Sequence, residues 1–300
     1  MDDLCLRVIG YIGIASSLLS FCSSFRITWV ILLSKDLRYI ASYQLMAFIA
    51  IMECCQMVGT VFGGLMFAQH NVFSSLLDEI GGSIAYIAWV TLIVLRFCLA
   101  FNRFVIIIDF QFLRRSTLKY IHWVTMAFPT VVFFFTLVLC CVTGQSYRVI
   151  LSIGTWLLPE NSSVKLVETL CSLVFTPLTF ILYVVTGLYV LHVRKRANMK
   201  INLPDIRILV SSATSFFYEM SMIILFHCVL PFIVVPVEVI AANAVTWIAL
   251  PSFNGFILLI ELPKPFLLKK DGFLWIKCSN GQAIQRNIQV VTSRKNLQLS

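Results

Sequence analysis

The sequence predicts an all-α membrane protein, a bundle of seven transmembrane helices with its amino terminus outside. Three observations lead there. First, 59% of the 300 residues are hydrophobic and only 12% are charged, with a mean hydropathy of +0.91. An ordinary soluble chain is about 45–50% apolar and about 25% charged, so 23 Lys+Arg and 14 Asp+Glu leave too little polar surface for a water-soluble fold of this length. Second, seven stretches of the chain reach the roughly 20 apolar residues that a bilayer-crossing helix needs. Third, Lys and Arg collect on one side of those stretches.

The stretches are 8–33, 42–67, 80–101, 120–143, 166–193, 208–235 and 237–260. They are apolar all round, as lipid-embedded helices must be, because lipid offers backbone groups no partners. A β-barrel would instead alternate over segments of about ten residues. The first stretch exceeds the apolar core of about 7–15 residues of a removed signal peptide and is read as the first helix. The sixth and seventh are separated only by Pro231, Pro236 and Glu238, which predicts a tight connector. Residues 1–262 form the expected helical domain and 263–300 a polar cytoplasmic tail.

Orientation follows from the cations. Eighteen Lys and Arg lie in the first, third and fifth connectors and the tail. Only Arg7, Arg148 and Lys165 lie on the other side, with Arg26 and Arg96 inside stretches. Basic residues favour the cytoplasm, so the tail is placed inside and the protein is expected to be a multi-pass protein of the plasma membrane. The glycosylation acceptor Asn161-Ser162-Ser163 falls in the fourth connector, on the outer side in this topology.

The net charge of +9 is accounted for by those cytoplasmic loops. No basic stripe with interleaved aromatics points to nucleic acid. Cys22, Cys54, Cys55, Cys98, Cys140, Cys141 and Cys228 sit in apolar runs, where cysteine behaves as a small hydrophobe. With no C-x-x-C pair, neither a metal nor another cofactor is expected. The absence of a Gly-rich phosphate loop, an H-E-x-x-H helix and a Ser elbow argues against an enzyme.

Three charges inside stretches stand out: Glu53, Arg96 and Glu219. Each alone would cost about 2.5–3.5 kcal/mol at mid-membrane. Glu53 lies 11 residues past Ser42, about 16 Å along a helix, and Arg96 lies 12 residues before Ile108, about 18 Å. Similar depth allows a Glu53–Arg96 ion pair with Glu219 nearby, since pairing makes buried charge tolerable. The alternative is that each faces a watery cavity separately. Tyr86, Trp89, Phe217 and Tyr218 are candidates for lining a ligand pocket, although aromatic residues in such bundles often serve packing or lipid contact.

Seven helices with an outside amino terminus is the layout of G-protein-coupled receptors, shared with some transporters and channels. The third stretch ends Leu99-Ala100-Phe101-Asn102-Arg103, which resembles the Leu-Ala-x-Asn-Arg ending of the third helix in nematode serpentine chemoreceptors. The second stretch, Tyr43-Gln44-Leu45-Met46 followed by Phe48-Ile49-Ala50-Ile51-Met52-Glu53, is similar to the pattern of class T of that family, with class X next. The resemblance covers about residues 40–105.

It implies a receptor that binds an external odorant-like small molecule within the bundle and signals to a heterotrimeric G protein, in the membrane of a sensory cilium. It also implies that Arg103 meets the G protein, with Asn102 in place of the acid that often locks such an arginine. The other reading of Arg103 is a topogenic cation that snorkels to the interface. Arg114, Arg115, Arg194, Lys195 and Arg196 would make a basic cytoplasmic surface suited to a G protein or to anionic headgroups. The chain departs from the pattern in three places. Glu53 stands where Asp is usual, Phe73-Ser74-Ser75-Leu76 lacks the cysteine of an outer disulfide, and Pro251-Ser252-Phe253-Asn254 is not a clean Asn-Pro-x-x-Tyr. A transporter or channel using Glu53, Arg96 and Glu219 is the alternative function.

Overall fold

The structure, a computed structural model, describes residues 3–34, 37, 39–108, 115–151, 155–159, 162–197 and 203–225. All belong to one compact unit, Met1–Glu261. The predicted seventh stretch, the tail, Arg114 and Asn161 lie outside the described residues.

The elements in chain order are α1 (Asp3–Leu33), α2 (Ala41–Gln69), α3 (Ser75–Ile107), α4 (Arg115–Thr143), β1 (Arg148–Ile150), β2 (Thr155–Leu157), α5 (Ser163–Ala197) and α6 (Leu203–Ile224). Among the described residues five helices, α1 to α5, are long and apolar enough to cross a membrane. Each helix begins before its apolar stretch, because hydrophobicity marks the lipid-facing part and the hydrogen-bonded helix extends beyond it; the last part of the sixth stretch, 226–235, lies outside the described residues. Ser74 caps α3 by accepting a hydrogen bond from Leu77 N at 3.2 Å. His70 ends α2 in the left-handed conformation, with φ 51°.

α3 is the hub. It packs against α2, α4, α5 and α6, and nearly all of its middle is buried, from Ala85 to Leu95. α1, α4 and α5 instead leave large apolar side chains exposed, among them Trp29, Trp123, Phe134, Leu170 and Leu188. Lipid tails solvate such side chains as well as a protein core does, so packing between the helices relies on close approach. Gly10 on α1 meets Gly64 and Ala68 on α2 with no room for a Cβ, and Gly59 on α2 does the same against Gly81 and Ala85 on α3. Hydrogen bonds add to this packing: Ser17 to Thr60 at 2.8 Å between α1 and α2, and Ser42 to Asn102 at 2.7 Å between α2 and α3.

The expectation of an all-α chain needs one correction. The fourth connector folds into an antiparallel hairpin, with Arg148 opposite Leu157 and Ile150 opposite Thr155. Three-residue strands carry too little periodic pattern to be read from sequence. The hairpin is seated on the bundle: Trp156 packs on Phe67 and over the bare Cα of Gly63, and the Tyr147 carbonyl lies over Gly82.

Candidate functional site

Three polar clusters run along α3. In the middle, Arg96 makes ion pairs with Glu53 on α2 (3.7 Å) and with Glu219 on α6. Ser24 on α1 donates to the second carboxylate oxygen of Glu53 at 2.8 Å. Glu53 and Glu219 are 0% and 3% exposed, so this is a charge network within the packed bundle, spanning α1, α2, α3 and α6. Two carboxylates share one guanidinium. Glu219 Oε2 has no hydrogen bond among the described residues.

The second cluster lies two turns along α3, at the end opposite the hairpin. Arg103 is only 5% exposed and Asn102 4%. A snorkelling arginine would carry its head out to the interface; this one is folded into the bundle. Asn102 is held by Ser42, and Arg103 lies near Tyr183 on α5. Around them Ala100, Tyr183, Leu209 and Phe216 form an apolar cluster that joins α3, α5 and α6. Arg115 opens α4, and Arg194, Lys195 and Arg196 belong to the last turns of α5.

The third cluster lies beneath the hairpin. Trp89 donates from Nε1 to Glu168 Oε1 on α5 (3.1 Å), and Tyr147 donates to the same oxygen at 2.7 Å. Tyr86 donates to the Val164 carbonyl at 2.8 Å, and its ring meets that of Tyr147 edge-on at 5.9 Å. Desolvation, and then the neighbouring Glu168 carboxylate, push the Tyr147 phenol well above its ordinary range. It therefore stays protonated as a donor at physiological pH. Tyr218 packs against this cluster. Phe217 does not share it: 44% exposed, it meets Phe180 on the flank of α5, because consecutive helical residues point about 100° apart.

The sequence reading passes over Glu168, although it lies two residues inside the fifth predicted stretch. A carboxylate within an apolar run is the signal that finds it. Arg148 is also missed. It reaches Glu79 at 2.9 Å, Asp78 at 3.7 Å and the Ser75 carbonyl at 3.3 Å, while Val149 N donates to Asp78 at 3.1 Å. Among the described residues no disulfide ties the hairpin down, and Cys171 is a free thiol; ionic contacts to the start of α3 do so instead. Part-exposed ion pairs contribute about 0–1 kcal/mol and weaken with salt. Arg148→Ala is therefore expected to speed amide exchange across 148–150 several-fold while leaving global melting unchanged. High salt should reproduce this in the wild type, and salt-independent exchange in the wild type would contradict the ionic tether.

The long apolar helices grouped around a buried α3, with charge sequestered inside, define a helical bundle of the multi-pass membrane kind. The chain is similar in structure to squid rhodopsin, with a TM-score of 0.63 and 13% sequence identity, over 88% of this chain and 84% of that one. At that identity the likeness shows the fold. No protein-family model matches the sequence, and comparison with the curated proteins finds no match.

Proposed function

We propose that this chain is a non-enzymatic chemosensory receptor of the nematode serpentine type, class T before class X. In this reading it binds an external small molecule among the hairpin-side halves of its helices and signals to a heterotrimeric G protein at the opposite, cytoplasmic end. The observation that carries it is the rhodopsin-like fold with Asn102-Arg103 buried at the end of α3. An arginine held inside by packing can be released when α5 and α6 move, which changes the surface offered to a partner. A ligand drives that movement only by binding the open arrangement better than the closed one.

Arg103→Ala, compared with the wild type at matched surface levels, should lose most of the nucleotide exchange on the G protein, both basal and ligand-driven. Exchange equal to the wild type would remove Arg103 from the coupling site. The alternative reading, a transporter or channel, draws on Glu53, Arg96 and Glu219. It predicts substrate flux in liposomes that hold no G protein, whereas a receptor moves nothing there. The triad's own guanidinium occupies the space between the two carboxylates that a transported cation would need, which favours the receptor.

A further inference from the structure

Four acidic side chains are buried among the described residues: Glu53, Asp78, Glu168 and Glu219. Three face an arginine, with Glu53 and Glu219 on Arg96 and Asp78 on Arg148. Glu168 does not. Its partners are two neutral donors, Trp89 and Tyr147, and both meet the same oxygen, Oε1. No described residue hydrogen-bonds Oε2. Lys165, one turn earlier on α5, is exposed; its charge acts on Glu168 from a distance, without a close ion pair.

One turn further along the same buried face stands Ser172, 2% exposed, whose hydroxyl has no hydrogen-bond partner. A helical serine usually bonds the carbonyl four residues back, here that of Glu168. Residues i and i+4 lie about 5–6 Å apart. The Glu168 carboxylate and the unpartnered Ser172 hydroxyl therefore lie one turn apart on the same buried face of α5. The Trp89, Tyr86 and Tyr147 rings border it, and Phe133, Phe175 and Tyr218 pack around the same cluster.

We propose that Glu168, Ser172 and the rings of Trp89 and Tyr147 form a recognition site for the ammonium group of a small organic amine. A buried carboxylate calls for a cation close by, and no described Lys or Arg makes a close ion pair with Glu168; Lys165 acts on it only from the exposed side of α5. An ammonium has N–H donors for Oε2 and for the Ser172 hydroxyl, while the Trp89 and Tyr147 donors hold Oε1 and so fix the carboxylate. The apolar residues beside them would take the hydrocarbon part of such a molecule. The site lies in the interior that the receptor reading assigns to its ligand and rests on that reading for its biological sense.

The test uses the full chain in lipid nanodiscs and a panel of primary and tertiary amines of graded size, beginning with phenethylamine, each paired with the alcohol of the same skeleton. Thermal stabilisation reports binding, and nucleotide exchange on a G protein is read separately. Amines should stabilise the wild type more than their alcohols. Glu168→Gln, which keeps an acceptor for Trp89 and Tyr147, should weaken amine binding at least about thirtyfold and leave alcohol binding unchanged. Glu168→Asp should retain the amine preference, and Trp89→Phe should cost several-fold. Amines and alcohols that bind alike, or amine binding indifferent to Glu168→Gln, would overturn the proposal whatever the G protein does. Amine binding through Glu168 without nucleotide exchange would uphold the site and refute the receptor reading. Exchange driven only by neutral compounds would do the reverse.

Discussion

Arg96→Met should be the most damaging single substitution in this protein. It removes the guanidinium between Glu53 and Glu219 and leaves two buried carboxylates without their shared cation. Breaking a buried ion pair from one side costs about 3–5 kcal/mol, a large share of the ~5–15 kcal/mol stability of a typical domain. Surface delivery should fail, and the melting temperature in nanodiscs should fall steeply. The damage comes from the stranded charges, so the triple variant Arg96→Met, Glu53→Gln, Glu219→Gln should recover most of the loss. Glu219→Gln alone should be mild, because Arg96 keeps Glu53. A charge swap, Glu53→Arg with Arg96→Glu, should surface better than either single change. A wild-type melting temperature for Arg96→Met would take the triad out of the account of stability.

The second large effect is expected where the hairpin meets α3. A Cβ on Gly82 would overlap the Tyr147 carbonyl. That carbonyl is backbone, tethered next door by Arg148 and by Val149 N on Asp78, so it cannot swing away. Gly82→Ala should cost about 1–3 kcal/mol, as overpacking does, and should disturb Tyr147 where it holds Glu168. Gly63→Ala meets only the Trp156 ring, a side chain that can rotate off, so it should cost less while unseating Trp156 from Phe67. Gly187→Ala on α5 meets nothing within 4 Å and should gain about 0.5–1 kcal/mol of helix stability. Melting curves of the three variants check the order. If Gly82→Ala melts no lower than Gly187→Ala, the hairpin is not seated as described.

The candidate site was legible in proportion to how far single residues announce themselves. Glu53, Arg96 and Glu219 are conspicuous because charge is rare in apolar runs, and depth arithmetic along α2 and α3 could bring the first two level. Their partner Ser24 was not legible, since serine is common in membrane helices. Tyr86 and Trp89 could be named as aromatic candidates but not assigned partners, because those partners lie 78 and 79 residues away on α5. Phe217 and Tyr218 look equivalent in sequence, yet only Tyr218 faces the interior cluster. The burial of Arg103 was not legible either, since a cation at the end of an apolar run reads equally well as one that snorkels.

What the sequence alone determined is the solvent and the element type. Hydropathy accumulates along the chain, and a run of apolar residues in lipid has to satisfy its own backbone as a helix whatever its neighbours do. What only the tertiary structure decided is which polar groups meet: Arg96 between two acids, Glu168 under Trp89 and Tyr147, and Arg148 on the start of α3. Those pairings depend on the angles and depths at which helices pack, and these follow from close contacts at glycines such as Gly10 and Gly59 rather than from any local pattern. A buried charge has to find a partner. Which partner it finds is a property of the bundle, because it depends on which helices pack at the same depth.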